Sequence, residues 1–206
     1  MVFTQCRLPV SLPNEATMNR LTATVNAALT ASQSAIEPAI LLAFIAVESG
    51  GRGFDVATGK LIIQFEPKWF KKKAPFAPSG LWSINKVDVQ AKEWRAFNNA
   101  FALDADAAMQ ATSIGLPQIM GLHWQRLGYA SVGAMWDDFK RSELQQIKAL
   151  IEFIKTDIAL HTALINKDWH RVATIYNGSN YLGIAAQYGR TPYNIAMQDA
   201  YNKLIA

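Results

Sequence analysis

The chain has 206 residues, half of them hydrophobic and 17% charged, a balance that fills a sizeable core and excludes wholesale disorder. Its formal net charge of +4 and pI near 9.2 favour anionic polymers such as cell-wall material, membranes or nucleic acid, without choosing among them. Cys6 is the only cysteine, which rules out an intrachain disulfide and a cysteine metal cluster.

Met1-Val-Phe-Thr-Gln-Cys-Arg7 lacks the basic-then-apolar order of a signal peptide, and no apolar run approaches the about 20 residues of a membrane span. The expectation is a protein made soluble in the cytoplasm and let out, if it acts outside, by something else. Residues 1–14, with Pro9 and Pro13, read as an irregular lead-in. Met18, Leu21, Val25, Ala28 and Leu29 recur at helical spacing over 15–32. Residues 1–34 are thus expected to pack on a single domain spanning 35–206.

Ala39-Ile-Leu-Leu-Ala-Phe-Ile-Ala-Val47 is too short for a bilayer and reads as a helix buried on every side. Ser34 as cap, Glu37 three residues on and Pro38 in the first turn signal its start, and Gly50 and Gly51 its stop. Glu48 then hangs from the last turn of a buried helix. Burial and the helix C-terminus both favour the protonated carboxyl, as a general acid requires. A Glu that simply turns outward into solvent is the plainer alternative.

Further on, Lys60-Leu-Ile-Ile-Gln-Phe65 looks like a strand, and a small hairpin over 54–66 with Thr58-Gly59 as its turn is the one clear β signal. Pro67 to Lys73 starts a short helix, and its Lys71, Lys72 and Lys73 are either a solvated face or a contact to an anionic wall or membrane. Residues 88–110 read as one helix with Trp94, Phe97, Phe101 and Met109 inward. After the short segment Ser113–Gly121, and a further turn over Leu122–Leu127, Ser131 is expected to cap a helix through Phe139. Ser142 is expected to cap a long one to about Asn166, with Leu144, Ile147, Ile151, Ile154, Ile158 and Leu164 on its apolar face. Asp168–Tyr176 is helical, Asn177-Gly-Ser-Asn180 breaks it, and Thr191-Pro192 opens a last helix to about Leu204. The fold class is α+β, mostly helical.

No phosphate loop or nucleophile elbow is present, and His123, His161 and His170 show no metal-ligand spacing. Carboxylates remain. Asp55 and Glu66 follow Glu48 within the expected hairpin, and two carboxyls across a groove suit glycosidic cleavage.

Glu48-Ser49, then Ser113-Ile-Gly-Leu-Pro-Gln-Ile-Met120, then Ala173-Thr-Ile-Tyr-Asn-Gly178 resemble, in that order, three motifs shared by goose-type lysozymes and lytic transglycosylases. The closer resemblance is to the N-acetylmuramidase domain of phage endolysins, across Val47-Glu-Ser-Gly-Gly51, Phe65-Glu-Pro-Lys-Trp-Phe70, Gly115 to Trp124 and Pro192-Tyr-Asn194 to Tyr201. It covers roughly residues 35–205. It implies a lysozyme-like fold, with a small hairpin beside the catalytic helix. The implied activity is cleavage of the β-1,4 bond between N-acetylmuramic acid and N-acetylglucosamine in bacterial peptidoglycan, after release from the host cytoplasm, by a monomer without cofactor or metal.

Under that resemblance Glu48 is the catalytic acid and Glu66 a second acidic group, Ser49 lies beside the acid, and Gly115, Gln118, Ile119 and Met120 form a cleft wall. Tyr176 and Asn177 form the third motif, with the tyrosine near the acid. Pro117 departs from the wider motif, which often has a larger residue there. Residue by residue the plainer readings stay open: Ile114, Leu116, Ile119 and Met120 as core, Tyr176 as a buried tyrosine, Asn177-Gly178 as a helix stop. The alternatives in function are a lytic transglycosylase, which forms 1,6-anhydromuramic ends and needs no second carboxylate, and a non-catalytic glycan-binding module.

Overall fold

The computed structural model describes residues 13–86 and 89–206. The expected lead-in up to residue 12, Cys6 included, lies outside them. The chain divides into two compact units, one formed by residues up to 51 together with 147–206, the other by 52–146.

The first unit is helical. Helix α1 (Glu15–Ala31) is capped by Asn14, whose side chain accepts from the Thr17 N–H, and it buries Leu21, Val25, Ala28 and Leu29. Helix α2 (Pro38–Ser49) is the core: every residue from Ile40 to Val47 is at most 6% exposed. The expected Ser34 cap is not used. The helix starts at Pro38, so Glu37 is itself the flanking residue. Its carboxylate instead accepts from the Tyr201 hydroxyl at 2.8 Å and pairs with Lys167 at 3.1 Å. The Tyr201 bond is the larger cause, and Lys167 the lesser one, that hold the Glu37 carboxyl below its ordinary value. Gly50 ends α2 in the left-handed conformation, φ +60, as the sequence indicates.

The expected long helix from Ser142 to Asn166 is two helices, α7 (Glu143–Lys155) and α8 (Ile158–Ile165). Between them Thr156 turns its hydroxyl back onto the Glu152 and Phe153 carbonyls, and Asp157 accepts from the Leu160 N–H as a fresh cap. The break rotates the apolar face, which leaves Ile158 80% exposed rather than inward. Helix α9 (Trp169–Asn177) has its Asp168 cap and stops at Gly178; α10 (Tyr181–Gln187), which the sequence reading passed over, follows it. Helix α11 (Tyr193–Ile205) closes the chain and packs on α2 and α9.

The second unit holds a three-stranded antiparallel sheet of β1 (Ile63–Phe65), β2 (Thr112–Ile114) and β3 (Ile119–Met120). β1 pairs with β2, Gln64 opposite Ser113, and β2 pairs with β3, Ser113 opposite Met120. The expected 54–66 hairpin is reduced to one bridge, Phe54 with Leu61; the strand finds its partner about fifty residues on. Such pairing between distant segments leaves no local turn signal to read.

The expected 88–110 helix is likewise two, α4 (Gln90–Phe101) and α5 (Ala105–Gln110), with Asp104 capping the second through the Ala107 N–H. Phe101 at the end of α4 is 43% exposed, not inward, while Phe97 stacks on Trp136 of α6 (Val132–Arg141) at 4.8 Å. Helix α4 also closes the free edge of β1, the usual weak point of a sheet. The Gln90 amide accepts from the Ile63 N–H and donates to the Ile63 carbonyl, both at 2.9 Å. Glu93, fully buried, accepts from the Phe65 N–H at 2.9 Å and from Asn85, which also donates to the Phe65 carbonyl. Helix α3 (Pro67–Lys73) follows β1 directly.

Candidate active site

In the first unit the acid candidate is reached from both ends of the chain. The buried stretch 40–47 gives α2 no freedom to rotate, so Glu48 in its last turn has a fixed direction and is half-buried. The Tyr193 hydroxyl, from the first turn of α11, donates to Glu48 Oε1 at 2.6 Å. Tyr193 is held in turn: its ring stacks on Tyr176 of α9 at 6.1 Å, and Tyr176 meets Phe44 of α2 edge-on at 4.6 Å. Tyr176 is 1% exposed and is further packed against Phe153 of α7. Three helices thus fix one carboxylate through aromatic packing.

Asn177, next to Tyr176, is 8% exposed, and its Nδ2 has no hydrogen-bond partner among the described residues; Asn194 Oδ1, next to Tyr193, likewise has none among them. A buried amide without a partner is costly and uncommon. Ser49, by contrast, donates its hydroxyl back to the Ile45 carbonyl at 3.1 Å, an intrahelical bond that gives it a structural use.

In the second unit, Glu66 stands between β1 and α3 as the residue flanking the helix, half-buried, with Oε1 accepting from the Gln64 amide at 2.6 Å. Its backbone N–H donates to the Ala111 carbonyl, so both main chain and carboxylate are oriented. Asp55 is otherwise engaged. It accepts from both the N–H and the hydroxyl of Thr58, which lower its carboxyl below the ordinary range and knot the 55–60 loop.

The segment 115–118 joins β2 to β3 with Gly115 at φ +70 and Gln118 at φ +50, a tight turn that glycine makes without strain. Gly115 answers to a neighbour as well. A Cβ there would meet Gln146 Oε1 at 2.6 Å, and a Cβ on Gly53 would meet the same oxygen at 2.6 Å. Gln146 is fully buried, accepts from the Leu116 N–H at 2.8 Å and donates to the Phe139 carbonyl at 2.9 Å. The turn therefore needs glycine to admit a side chain of the protein itself. Gln118, 4% exposed, donates to the Gly115 carbonyl at 2.7 Å and to the Ile62 carbonyl at 3.4 Å. Ile119 and Met120 are buried side chains of β3.

The sequence-selected residues thus gather into two groups. Glu48, Ser49, Tyr176 and Asn177 belong to the first unit, where Tyr193 links Glu48 to Tyr176; Glu66, Gly115, Gln118, Ile119 and Met120 belong to the second. Sequence reasoning gave no role to Tyr193, although Pro192-Tyr-Asn194 was part of the resemblance, and it missed Gln146, Gln64 and Glu93 altogether. Nothing in spacing marks a polar residue whose partner is a backbone group from a distant strand. His123 is half-buried, and desolvation first, then the charge of Arg126, push its imidazole down to about 4. Among the described residues no group of His, Cys, Asp and Glu is arranged to hold a metal ion. No described helix is long and apolar enough to cross a membrane.

Among curated proteins none matches this chain. A solved structure does: the crystal structure of the Burkholderia AP3 phage endolysin aligns with a TM-score of 0.68 at 28% identity, over 96% of this chain and 72% of that one. The fold is accordingly the lysozyme-like one of that endolysin, mostly helical with a small sheet. The family model for N-acetylmuramidase matches residues 37–205, from the residue before α2 to the last residue of α11. The chain belongs to the N-acetylmuramidase family.

Proposed function

We propose that this chain cleaves the β-1,4 bond between N-acetylmuramic acid and N-acetylglucosamine by hydrolysis, with Glu48 as general acid. Family membership makes it a peptidoglycan hydrolase of the endolysin kind, acting on the bacterial cell wall. The observation that carries the mechanistic reading is the 2.6 Å bond from Tyr193 to Glu48 Oε1. A hydroxyl that donates to one carboxyl oxygen assigns it as acceptor and leaves the other to carry the transferable proton. That proton goes to the glycosidic oxygen as the bond to the muramic C1 breaks, and water adds at C1.

Glu66 is assigned to position or activate this water. Its carboxylate is oriented by Gln64, whereas Asp55 is taken up by Thr58. Asn177 is assigned to an acetamido group, whose carbonyl would accept from the unpaired Nδ2. Ser49, Tyr176, Gly115, Gln118, Ile119 and Met120 are assigned to shaping the substrate site, Tyr176 by holding Tyr193 and the others through backbone and packing. We assign Lys71, Lys72 and Lys73, exposed at the end of α3, to contact with an anionic surface of the cell envelope.

Product analysis tests the reaction. Hydrolysis with inversion yields a reducing muramic end, formed first as the α-anomer. Chiefly 1,6-anhydromuramic ends would replace this reading with a transglycosylase, and β-anomers formed first would remove inversion while keeping hydrolysis. A folded chain that binds glycan without turnover would make it a binding module.

A further inference from the structure

The surplus positive charge of this protein sits in one place. Pro67 to Lys86 contains Lys68, Lys71, Lys72, Lys73 and Lys86 and no acidic residue, a local +5 in a chain whose total is +4. The remaining residues carry 15 basic and 16 acidic side chains, close to neutral. All five lysines are exposed.

Within the same segment the apolar pattern is inverted. Phe76 is 97% exposed, more than any other aromatic residue among those described as exposed. It sits third in a four-residue turn closed by the Ala77 N–H donating to the Ala74 carbonyl, with Pro75 before it in the place where proline favours a turn. The turn is braced on both sides. Lys71 Nζ donates to the Ala77 carbonyl at 3.3 Å, and Trp82 Nε1 to the Pro78 carbonyl at 2.9 Å, while the Trp82 ring is locked edge-on against Phe70 of α3. Lys72 lies over the Trp69 ring at 4.6 Å. A phenyl ring standing in water contributes nothing to the core, yet this one is held there by four neighbouring interactions.

We propose that the Phe76 turn and the lysines around it are a docking surface for an anionic lipid bilayer, with Phe76 entering the interface and the lysines meeting the headgroups. This narrows the assignment of Lys71 to Lys73 above and is independent of the catalytic reading. Charge complementarity selects an anionic partner. The tip itself selects lipid over a glycan. Pro75-Phe-Ala-Pro78 puts Phe76 almost wholly into solvent, has no polar side chain, lacks an N–H at both prolines, and uses that of Ala77 internally. Sugars are recognised in concave sites with placed hydrogen-bonding groups. An apolar tip in a lysine-rich segment, with Lys71 bonded to its backbone, matches a headgroup layer over acyl chains.

The test is sedimentation of the whole chain with three partners: vesicles of phosphatidylethanolamine and phosphatidylglycerol, vesicles of phosphatidylcholine alone, and lipid-free peptidoglycan. Binding is expected to the phosphatidylglycerol vesicles over phosphatidylcholine, weakening as salt rises. Phe76→Ser is expected to weaken it about tenfold and Phe76→Trp to retain it. Lys72→Gln and Lys73→Gln should each cost about fivefold. Thermal melting and cleavage of short soluble glycan fragments should not change in any of these variants, which separates a failure here from a failure of the muramidase reading. No binding to anionic vesicles, or binding indifferent to Phe76→Ser, would overturn the proposal. Equal losses on lipid-free peptidoglycan would also overturn it and make the surface a wall-polymer site.

Discussion

The two units use their motif residues in opposite ways. In the first, side chains from α2, α9 and α11 converge on a single carboxylate, and polar atoms of Asn177 and Asn194 have no hydrogen-bond partner among the described residues. In the second, Gln118 and Gln146 are spent on the backbone of the turn between β2 and β3, and Gln90 and Glu93 on the edge of β1. We therefore read the conspicuous polar residues as chemistry in the first unit and, Glu66 apart, as architecture in the second. Bonding to the backbone of a distant segment marks the architectural kind.

The largest effect expected from this contrast is on Glu48. Glu48→Gln keeps the shape and the Tyr193 contact but removes the transferable proton, so wall lysis should fall by about 10²–10⁴-fold in turbidity clearing. Thermal stability should hold or rise, since a half-buried carboxylate is costly to desolvate. A folded Glu48→Gln variant with ordinary lysis would end the assignment of chemistry to the first unit.

Next in size is the opposite outcome at Gly115, where stability should suffer. Gly115→Ala places a Cβ at φ +70 and against Gln146 Oε1, which sits 2.6 Å from that position. The conformational strain and the disturbed bond to the Leu116 N–H together should cost about 2–4 kcal/mol, seen as a lower melting temperature. Lysis per folded molecule should change far less than in Glu48→Gln. If Gly115→Ala melts normally but loses activity, the turn contacts substrate directly and the division between the units fails there.

Legibility from sequence followed the same division. Helix α2 was readable through its body and its stop, though not at its cap, because nine apolar residues in a row and two glycines are local signals. The two helices that turned out to be four were misread for a definable reason. Asp104 and Asp157 each accept from the N–H three residues on, but apolar spacing continued across both and outweighed a single capping residue. The β2 and β3 strands span five residues between them, too few for alternation to register, and β1 pairs across some fifty residues. Of the proposed site, Glu48 stood out in the sequence because a helix end names its own last turn. Tyr193 was not, because its partner lies 145 residues away and only the fold connects them.

The smallest expected effect tests that connection. Tyr193→Phe keeps a ring stacked on Tyr176 and deletes one hydroxyl, so the packing of α11 should survive and melting should move little. A hydrogen bond to an ionisable group contributes about 1.5 kcal/mol at the low end, which corresponds to roughly a tenfold loss in kcat. KM should stay nearly constant, because the hydroxyl touches the acid and not the sugar. The pH profile supplies the sign. Donation from Tyr193 favours the ionised carboxylate, so its loss favours the protonated form. A general acid works only while protonated, and the alkaline limb of the rate profile should therefore move to higher pH in the variant. A merely structural tyrosine would lower activity without moving that limb. An unshifted profile with reduced kcat would make Tyr193 a packing residue, and would leave the direction of Glu48 to α2 and Tyr176 alone.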